Sequence, residues 1–281
     1  MTNITASMVR ELREKSGAGM MECKKALEAT SGDMEAAFDE LRKAGLKTAA
    51  KKAGRETGEG RVFAKMSDDG RCGAMVSIAC ETDFVAKTPD FSAYLEALAA
   101  HVMEHAPADV DSLLGQPWAE GGTVEESLKA LIGKLGENIQ IAQVAAFANP
   151  EGQVNAYVHH DQKKGAIVSV TTGADSGAAD GTLKDLCMHI VVFNPDALNR
   201  ETIASELVER EKEIIREGLA GKPEEIQEKI LSGRLEKFFA ERVVTEQPWI
   251  KDDKTSVHKA LSGALGDGTN LVAFSRFQVG A

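Results

Sequence analysis

The sequence predicts an α+β protein: a helical N-terminal module, a core of two related β-hairpin-and-helix units, and a helical hairpin inserted in the second unit. Three observations carry that expectation. Segments 60–78 and 152–170 overlay without a gap and match at Gly60/Gly152, Val62/Val154, Ala64/Ala156, Asp69/Asp161, Gly73/Gly165, Ala74/Ala166, Val76/Val168 and Ser77/Ser169, always at an offset of 92. A repeat retains the residues its fold needs and varies where function differs. Ahead of the repeat lie three short stretches of helical periodicity. Between 200 and 239 apolar residues thin to a narrow seam among Glu, Lys and Arg.

Element by element, Thr5 is placed to cap a first helix whose Met8, Val9 and Leu12 share a face, and Gly17-Ala18-Gly19 interrupts it. Residues 20–30 resume helical character. Asp33 is the expected cap of a third helix, in which Met34, Ala37, Phe38 and Leu41 form one stripe before Gly45 ends it. The run Lys47-Thr48-Ala49-Ala50-Lys51-Lys52-Ala53-Gly54-Arg55 reads as helix end plus linker. A nucleic-acid-binding arm is the sharper alternative, but no aromatic residue is interleaved for base stacking. In each repeat a β-rich segment (61–66; 153–159) leads through a polar turn to a second strand (73–80; 165–172). Pro89 opens a helix to residue 106, another helix spans 123–135, and 139–147 alternates as a strand. The second unit has a helix at 182–192 and a strand at 271–279. Aligning Ile139 with Leu271 raises the offset to 132, leaving forty extra residues in the second unit. They fall between 200 and 239, where Ile203, Leu207 and Ile214 line one helix, Gly221-Lys222-Pro223 turns the chain, and Ile226, Ile230 and Phe238 mark a return helix. The expected domains are 1–55 (helical module and linker), 56–148, and 149–281 with the insertion at about 196–240.

Composition narrows the function. The 281 residues suffice for two ordinary domains, and 43% apolar residues supply their cores. With 33 basic and 44 acidic residues the net charge is −11, which opposes nonspecific attraction to nucleic acid or anionic membrane. A protein partner is expected. Met1-Thr2-Asn3-Ile4 lacks the basic flank and apolar stretch of a signal peptide, and no apolar run approaches the roughly 20 residues a bilayer requires, so a cytoplasmic location is expected. Cys23, Cys72, Cys80 and Cys187 form no Cys-x-x-Cys pair, indicating neither a zinc site nor a disulfide framework.

Candidate chemistry is sparse. His159-His160-Asp161 resembles a metal cluster, but adjacent side chains at a strand end point to opposite faces and cannot grip one ion. Cys80 lies beside Glu81 and Asp83, carboxylates that raise a thiol pKa, and no histidine is near in sequence. The glycines at 17, 19, 133 and 136 assemble into no phosphate-binding loop. No catalytic residue, metal site or cofactor is indicated. Met20 and Met21 serve equally as core fillers or as an adaptable contact patch. The two repeats diverge at Cys80-Glu81-Thr82-Asp83-Phe84-Val85-Ala86-Lys87: at the common offset Asp83 meets Asp175 but Phe84 meets Ser176. Either Thr82 or Asp83 caps a turn there with Phe84 folded onto the core, or the segment is specialised for a partner.

Two long stretches decide between these. Leu12-Arg13-Glu14-Lys15-Ser16-Gly17-Ala18-Gly19-Met20-Met21-Glu22-Cys23-Lys24-Lys25-Ala26-Leu27 and Glu81-Thr82-Asp83-Phe84-Val85-Ala86-Lys87 closely resemble bacterial elongation factor Ts in sequence, order and separation. The resemblance extends through Lys134-Leu135-Gly136-Glu137-Asn138, Gly221-Lys222-Pro223 and Phe274-Ser275-Arg276-Phe277-Gln278-Val279-Gly280, and so covers essentially the whole chain. It implies a ubiquitin-associated-like N-terminal module, two related core subdomains and a protruding antiparallel coiled-coil hairpin. It also implies a guanine-nucleotide exchange factor that binds elongation factor Tu and releases GDP during translation elongation, without enzymatic chemistry of its own.

By the same resemblance, Thr82, Asp83, Phe84 and Val85 push into the partner's GTPase domain and dislodge Mg2+, with Phe84 as the wedge. Arg13, Met20, Met21 and Lys24 hold the GTPase domain, Leu135 and Gly136 approach its phosphate-binding loop, and His159 with Ile250 lies near the partner's third domain. Three departures bear on this. Ala281 follows Val279-Gly280 directly, where many family members continue into a C-terminal helical module, so that module's contacts are not expected. Lys251 occupies a place beside Ile250 that relatives can fill with an apolar residue. The turn Asp161-Gln162-Lys163-Lys164 is longer than in some relatives, leaving His159 and His160 both open for the third-domain contact. A homodimer or a 2:2 complex through the hairpin also stays open. An interaction adaptor is the alternative from another class, and an enzyme using Cys80 or the histidines a more distant one.

Overall fold

The computed structural model describes residues 4–219, 221 and 223–280. Its described residues form eleven helices and eight strands, with every strand pairing in the three sheets antiparallel, so the protein is α+β. Helix α1 (Ala6–Ser16) starts where the Thr5 hydroxyl accepts from the Met8 amide, and it stops at Gly17, whose φ of 66° is left-handed. Helices α2 (Met20–Ala29) and α3 (Met34–Lys52) close a small core of Val9, Leu12, Cys23, Ala26, Leu27 and Ala37. Asp33 caps α3 by accepting from Glu35 and Ala36.

Gly45 does not end α3. The helix runs two further turns, because Gly45 there meets a glycine of another helix rather than solvent. The chain then makes the hairpin β1 (Glu59–Met66) and β2 (Cys72–Cys80), a single turn α4 (Asp83–Ala86), and helices α5 (Pro89–His105), α6 (Val110–Leu114) and α7 (Val124–Leu135), before strand β3 (Ile139–Ala148). Gly133 of α7 faces Gly45 so closely that a Cβ on Gly133 would stand 2.8 Å from the Gly45 Cα. Two residues lacking side chains let two helix backbones touch. The basic stretch, expected as helix end plus linker, is helix as far as Lys52, with Ala49 in the core of the first unit and Lys52 donating to the Gly136 carbonyl.

Strands β4 (Gly152–Val158) and β5 (Lys164–Thr171) form a second hairpin, followed by α8 (Ser176–Phe193), α9 (Ser205–Glu217), α10 (Glu224–Arg242), β6 (Pro248–Trp249), β7 (Asp252–Ser256), α11 (Val257–Leu265) and β8 (Asn270–Gln278). The sheets are ordered β1-β2-β3 and β4-β5-β8, with β6 and β7 as a separate pair. Val62 pairs Ser77 and Val154 pairs Ser169, and each ladder to the third strand shifts register after that serine. Glycine is required at Gly60 and Gly152, because a Cβ there would run into the carbonyl oxygens of Ile78 and Val170. The sheets pack face to face through Val62, Met75 and Ala79 against Val154, Ile167 and Phe277. Helices cover the outer faces, which is why β2 and β5 are buried on both sides and read as continuous apolar runs.

The third strands correct one expected alignment. Ile78 pairs Ile141 and Val170 pairs Leu271, so Leu271 corresponds to Ile141 rather than Ile139. In the helices the correspondence changes again. Leu95, Leu98 and Val102 of α5 are buried as Leu183, Leu186 and Ile190 of α8 are, and the left-handed C-caps are Ala106 and Asn194, all at an offset of 88. Four residues are therefore extra in the first unit between strand and helix, and they form the turn α4. A further correspondence follows. His101 pairs Gln116 at 2.8 Å and lies 5.4 Å from the Trp118 ring, while His189 pairs Gln247 at 2.9 Å and lies 5.6 Å from Trp249. Gln-Pro-Trp thus recurs, and β6, β7 and α11 occupy sequence the periodicity had not resolved.

The helical hairpin α9–α10 has a different seam from the one expected. Ile215, Leu219 and Leu231 are buried with Ile230 and Leu235 against them, whereas Leu207, Ile214 and Ile226 are exposed. One residue along a helix rotates about 100°, so choosing Ile214 over Ile215 selects the solvent face. Ile203 precedes the first residue of α9 and joins a cluster at the hairpin base with Ala197, Phe238 and Val243. There Arg200 bonds both Glu236 and Glu246, and Arg242 bonds Asp196. In the turn expected at 221–223, Gly221 has φ +88°, and Lys222 lies outside the described residues.

Candidate interaction site

The turn α4 starts from β2. Where Cys80 pairs Ile139, the next residues on each strand, Glu81 and Asn138, meet at the sheet end. The Asn138 amide donates to the Glu81 carboxylate at 2.6 Å, and the Thr82 amide and hydroxyl donate to the Glu137 carboxylate at 3.0 and 2.6 Å. Thr82 caps α4, its hydroxyl oxygen accepting from the Val85 amide. Val85 turns inward against the core, and Ala86 is buried. Phe84 points the other way. At 80% exposure it is the most exposed large apolar side chain among the described residues, so it is not folded onto the core.

Electrostatics at this end are dominated by paired charges. Lys87 bonds Asp83 at 2.6 Å and holds its carboxyl below the usual range. The Asn138 amide, then Arg55, hold Glu81 low. Lys163, paired to Glu59 at 2.6 Å, also acts on Asp83, so the β4–β5 turn lies near α4. Cys80 is pushed up to about 12 first by burial and then by Glu137 and Glu59, not by its sequence neighbours Glu81 and Asp83. Such a thiol is inert at neutral pH.

Some of the other candidate residues adjoin this end. Leu135 and Gly136 end α7 directly before Glu137; Leu135 is half-buried, and Gly136, at φ +77°, is exposed. Lys134 bonds Asp90 at 2.7 Å and lies under the α1–α2 loop, where a Cβ on Gly17 would strike its side chain. From that loop α2 presents Met20 and Met21, 49% and 64% exposed, so neither fills the core. Arg13 and Lys24 are exposed on α1 and α2.

His159 lies one residue beyond β4, bonded to the Tyr157 hydroxyl at 2.9 Å, with the His160 ring 4.2 Å away. The expectation of opposed side chains fails here because the strand has already ended. Ile250 is in the β6–β7 turn, and its neighbour Lys251 is tied to Asp185 of α8. Among the described residues no three His, Cys, Asp or Glu side chains are grouped to hold a metal ion, and no helix is long and apolar enough to cross a membrane.

The sequence reading omitted Glu81, Glu137 and Asn138 from the site. All three stood within quoted motifs, but what joins Glu137 to Thr82 and Asn138 to Glu81 is strand pairing.

Comparison with known proteins matches residues 81–281 to the family model described as Elongation factor TS. The chain is 44% identical over 279 residues to elongation factor Ts of Thioalkalivibrio sulfidiphilus, covering 99% of this chain and 92% of that protein. It is 43% identical over 289 residues to that of Nautilia profundicola, covering 100% and 94%. With that of Prosthecochloris aestuarii it shares 38% identity over 289 residues and the full length of both. Matching along its whole length proteins that carry one name, the chain belongs to the elongation factor Ts family.

Proposed function

We propose that this protein is a guanine-nucleotide exchange factor in translation elongation: it binds elongation factor Tu·GDP and releases GDP by dislodging Mg2+ and disturbing the phosphate site. The observation that carries the reading is Phe84, a bare aromatic ring at the tip of a turn whose base is pinned by four hydrogen bonds. A mobile tip would lose its force to its own disorder. A pinned one keeps its position as the body docks, with little ordering cost.

Mg2+ bridges GDP phosphate oxygens and GTPase side chains, so displacing its ligands loosens ion and nucleotide together with no covalent step. Thr82, Asp83 and Val85 carry Phe84; Leu135 and Gly136 reach the phosphate loop; Arg13, Met20, Met21 and Lys24 grip the GTPase domain; His159 (or His160) and Ile250 meet the third domain. By linkage, a factor that weakens GDP binding is itself bound more tightly by the nucleotide-free partner, each tenfold being worth about 1.4 kcal/mol. Binding of fresh nucleotide then expels it. The protein performs no enzymatic reaction, needs no cofactor, and works in the cytoplasm.

The finer architecture belongs to the same proposal: a ubiquitin-associated-like module over 1–55, related core subdomains over 56–148 and 149–281, and a coiled-coil arm at about 196–240. The shared glycines, registers and His–Gln–Trp groupings support the two subdomains as copies of one unit.

The test is release of a fluorescent GDP from elongation factor Tu. Stimulated release by the wild-type chain and its loss in Phe84→Ala are expected. Only a fifth of a ring worth about 200 Å2 is buried, so at ~25 cal/mol per Å2 the substitution costs about 1 kcal/mol or less of stability. Unchanged GDP release with the wild-type protein refutes the function and favours an adaptor.

A further inference from the structure

The two segments assigned to different parts of the GTPase, Thr82–Val85 and Leu135-Gly136, are joined by a reciprocal pair of carboxylates. Glu81, at the foot of α4, accepts from the backbone of Asn138; Glu137, beside Asn138, accepts from the backbone and hydroxyl of Thr82. Each glutamate holds the other's strand. The Asn138 side chain, 2% exposed, donates to the Arg55 carbonyl at 2.7 Å, and Lys52 donates to the Gly136 carbonyl. The N-terminal module thus ends on the same corner. In the second unit, where the strand-to-helix connection is four residues shorter, Asp175 starts α8 with no side-chain cap.

We propose that Glu137 and Glu81 are positioning residues that make the Phe84 turn and the Leu135-Gly136 corner one rigid body. This rests on the exchange-factor reading, and it deepens that reading: displacement of Mg2+ and disturbance of the phosphate loop become a single stroke. Charge-assisted hydrogen bonds suit the task, being about twice as strong as neutral ones and fixed in direction. Phe84 touches the partner; Glu137 acts through it.

Two measurements separate this inference from the reading beneath it. Backbone amide hydrogen exchange needs no partner: Glu137→Ala should speed exchange at Thr82 at least tenfold, and Glu81→Ala should do so at Asn138, with the core of β2 still protected. Stimulated GDP release at saturating factor should fall at least fivefold in Glu137→Ala, with a smaller change in the concentration for half-maximal effect. Glu137→Gln, which keeps one acceptor oxygen, should be intermediate and covers the case that the alanine variant fails to fold. Adding Glu137→Ala to Phe84→Ala should cost nothing further, since the clamp acts through Phe84.

Unaltered amide exchange at both sites overturns the clamp whatever the release assay gives. Full release by Glu137→Ala and Glu137→Gln, with Phe84→Ala defective, also overturns it while leaving the function standing. No stimulation by the wild-type chain defeats the function instead.

Discussion

Gly45 and Gly133 face each other from α3 and α7, yet alanine at the two positions should have opposite effects. A Cβ on Gly45 finds its nearest neighbour, the Gly133 Cα, at 4.0 Å, an ordinary contact. Gly45→Ala then keeps the helix-propensity gain of about 1 kcal/mol for replacing glycine in a helix interior. A Cβ on Gly133 stands 2.8 Å from the Gly45 Cα and 3.6 Å from its carbonyl carbon, and backbone cannot swing aside as a side chain can. Overpacking of this kind costs about 1–3 kcal/mol, which cancels or exceeds the same propensity gain. The two variants should therefore differ by about 1–3 kcal/mol, with Gly133→Ala the less stable. At about 2–4 °C per kcal/mol for a chain of roughly this size, the melting temperatures should separate by several degrees. Circular dichroism melts of both single variants measure this. Equal melting temperatures, or a lower one for Gly45→Ala, would show that the module does not rest on this contact. Under the proposed function Gly133→Ala also weakens partner binding, because α3 carries the module that presents Met20 and Met21.

Stability should fall on acidification in two stages. His189 is held below its ordinary 6.5 by burial, with Nδ1 lacking a partner, so its contribution is complete above pH 6.5 and declines as pH falls through the folded value. Glu81 and Asp83, lowered from 4.5 and 3.8 by their hydrogen bonds, contribute fully above those values and lose the contribution as pH drops through the lower folded ones. A melting temperature that rises from pH 7 to pH 5 would contradict the first stage, and one that rises from pH 5 to pH 3 would contradict the second. Thiol reactivity gives a separate check: Cys72 is half-buried, whereas Cys80 is pushed up to about 12 and Cys187 is fully buried. Iodoacetamide at pH 8 should label Cys72 and spare Cys80 and Cys187 until denaturant is added, as read by peptide mass spectrometry; labelling of Cys80 at the rate of Cys72 would sink the argument.

Much of the fold was legible in the chain because close approach leaves a mark. Gly60 and Gly152 recur because any Cβ there meets the neighbouring strand, and Gly73 and Gly165 recur where the sheets come together, so the offset of 92 was visible without coordinates. Caps at Thr5 and Asp33 were equally local. A second signal was present and unused: Gln116-Pro117-Trp118 and Gln247-Pro248-Trp249 mark the later part of each unit, where β6, β7 and α11 escaped the periodicity reading. The helical hairpin was legible as an insertion, but its seam was not. Ile214 and Ile215 are equally apolar, and only the partner helix decides which one is buried.

The sequence by itself determined the repeated strands, the helix starts, the divergence at Thr82-Asp83-Phe84-Val85 and, through its resemblance, the family. Those depend on residues near one another along the chain. The tertiary structure decided that Gly45 continues a helix, that Phe84 stands in solvent, and that Glu81 and Glu137 hold each other's strands. These depend on groups that meet only once β2 lies against β3 and α3 against α7, and no local pattern encodes which backbone will stand opposite a glycine or which amide will find a carboxylate.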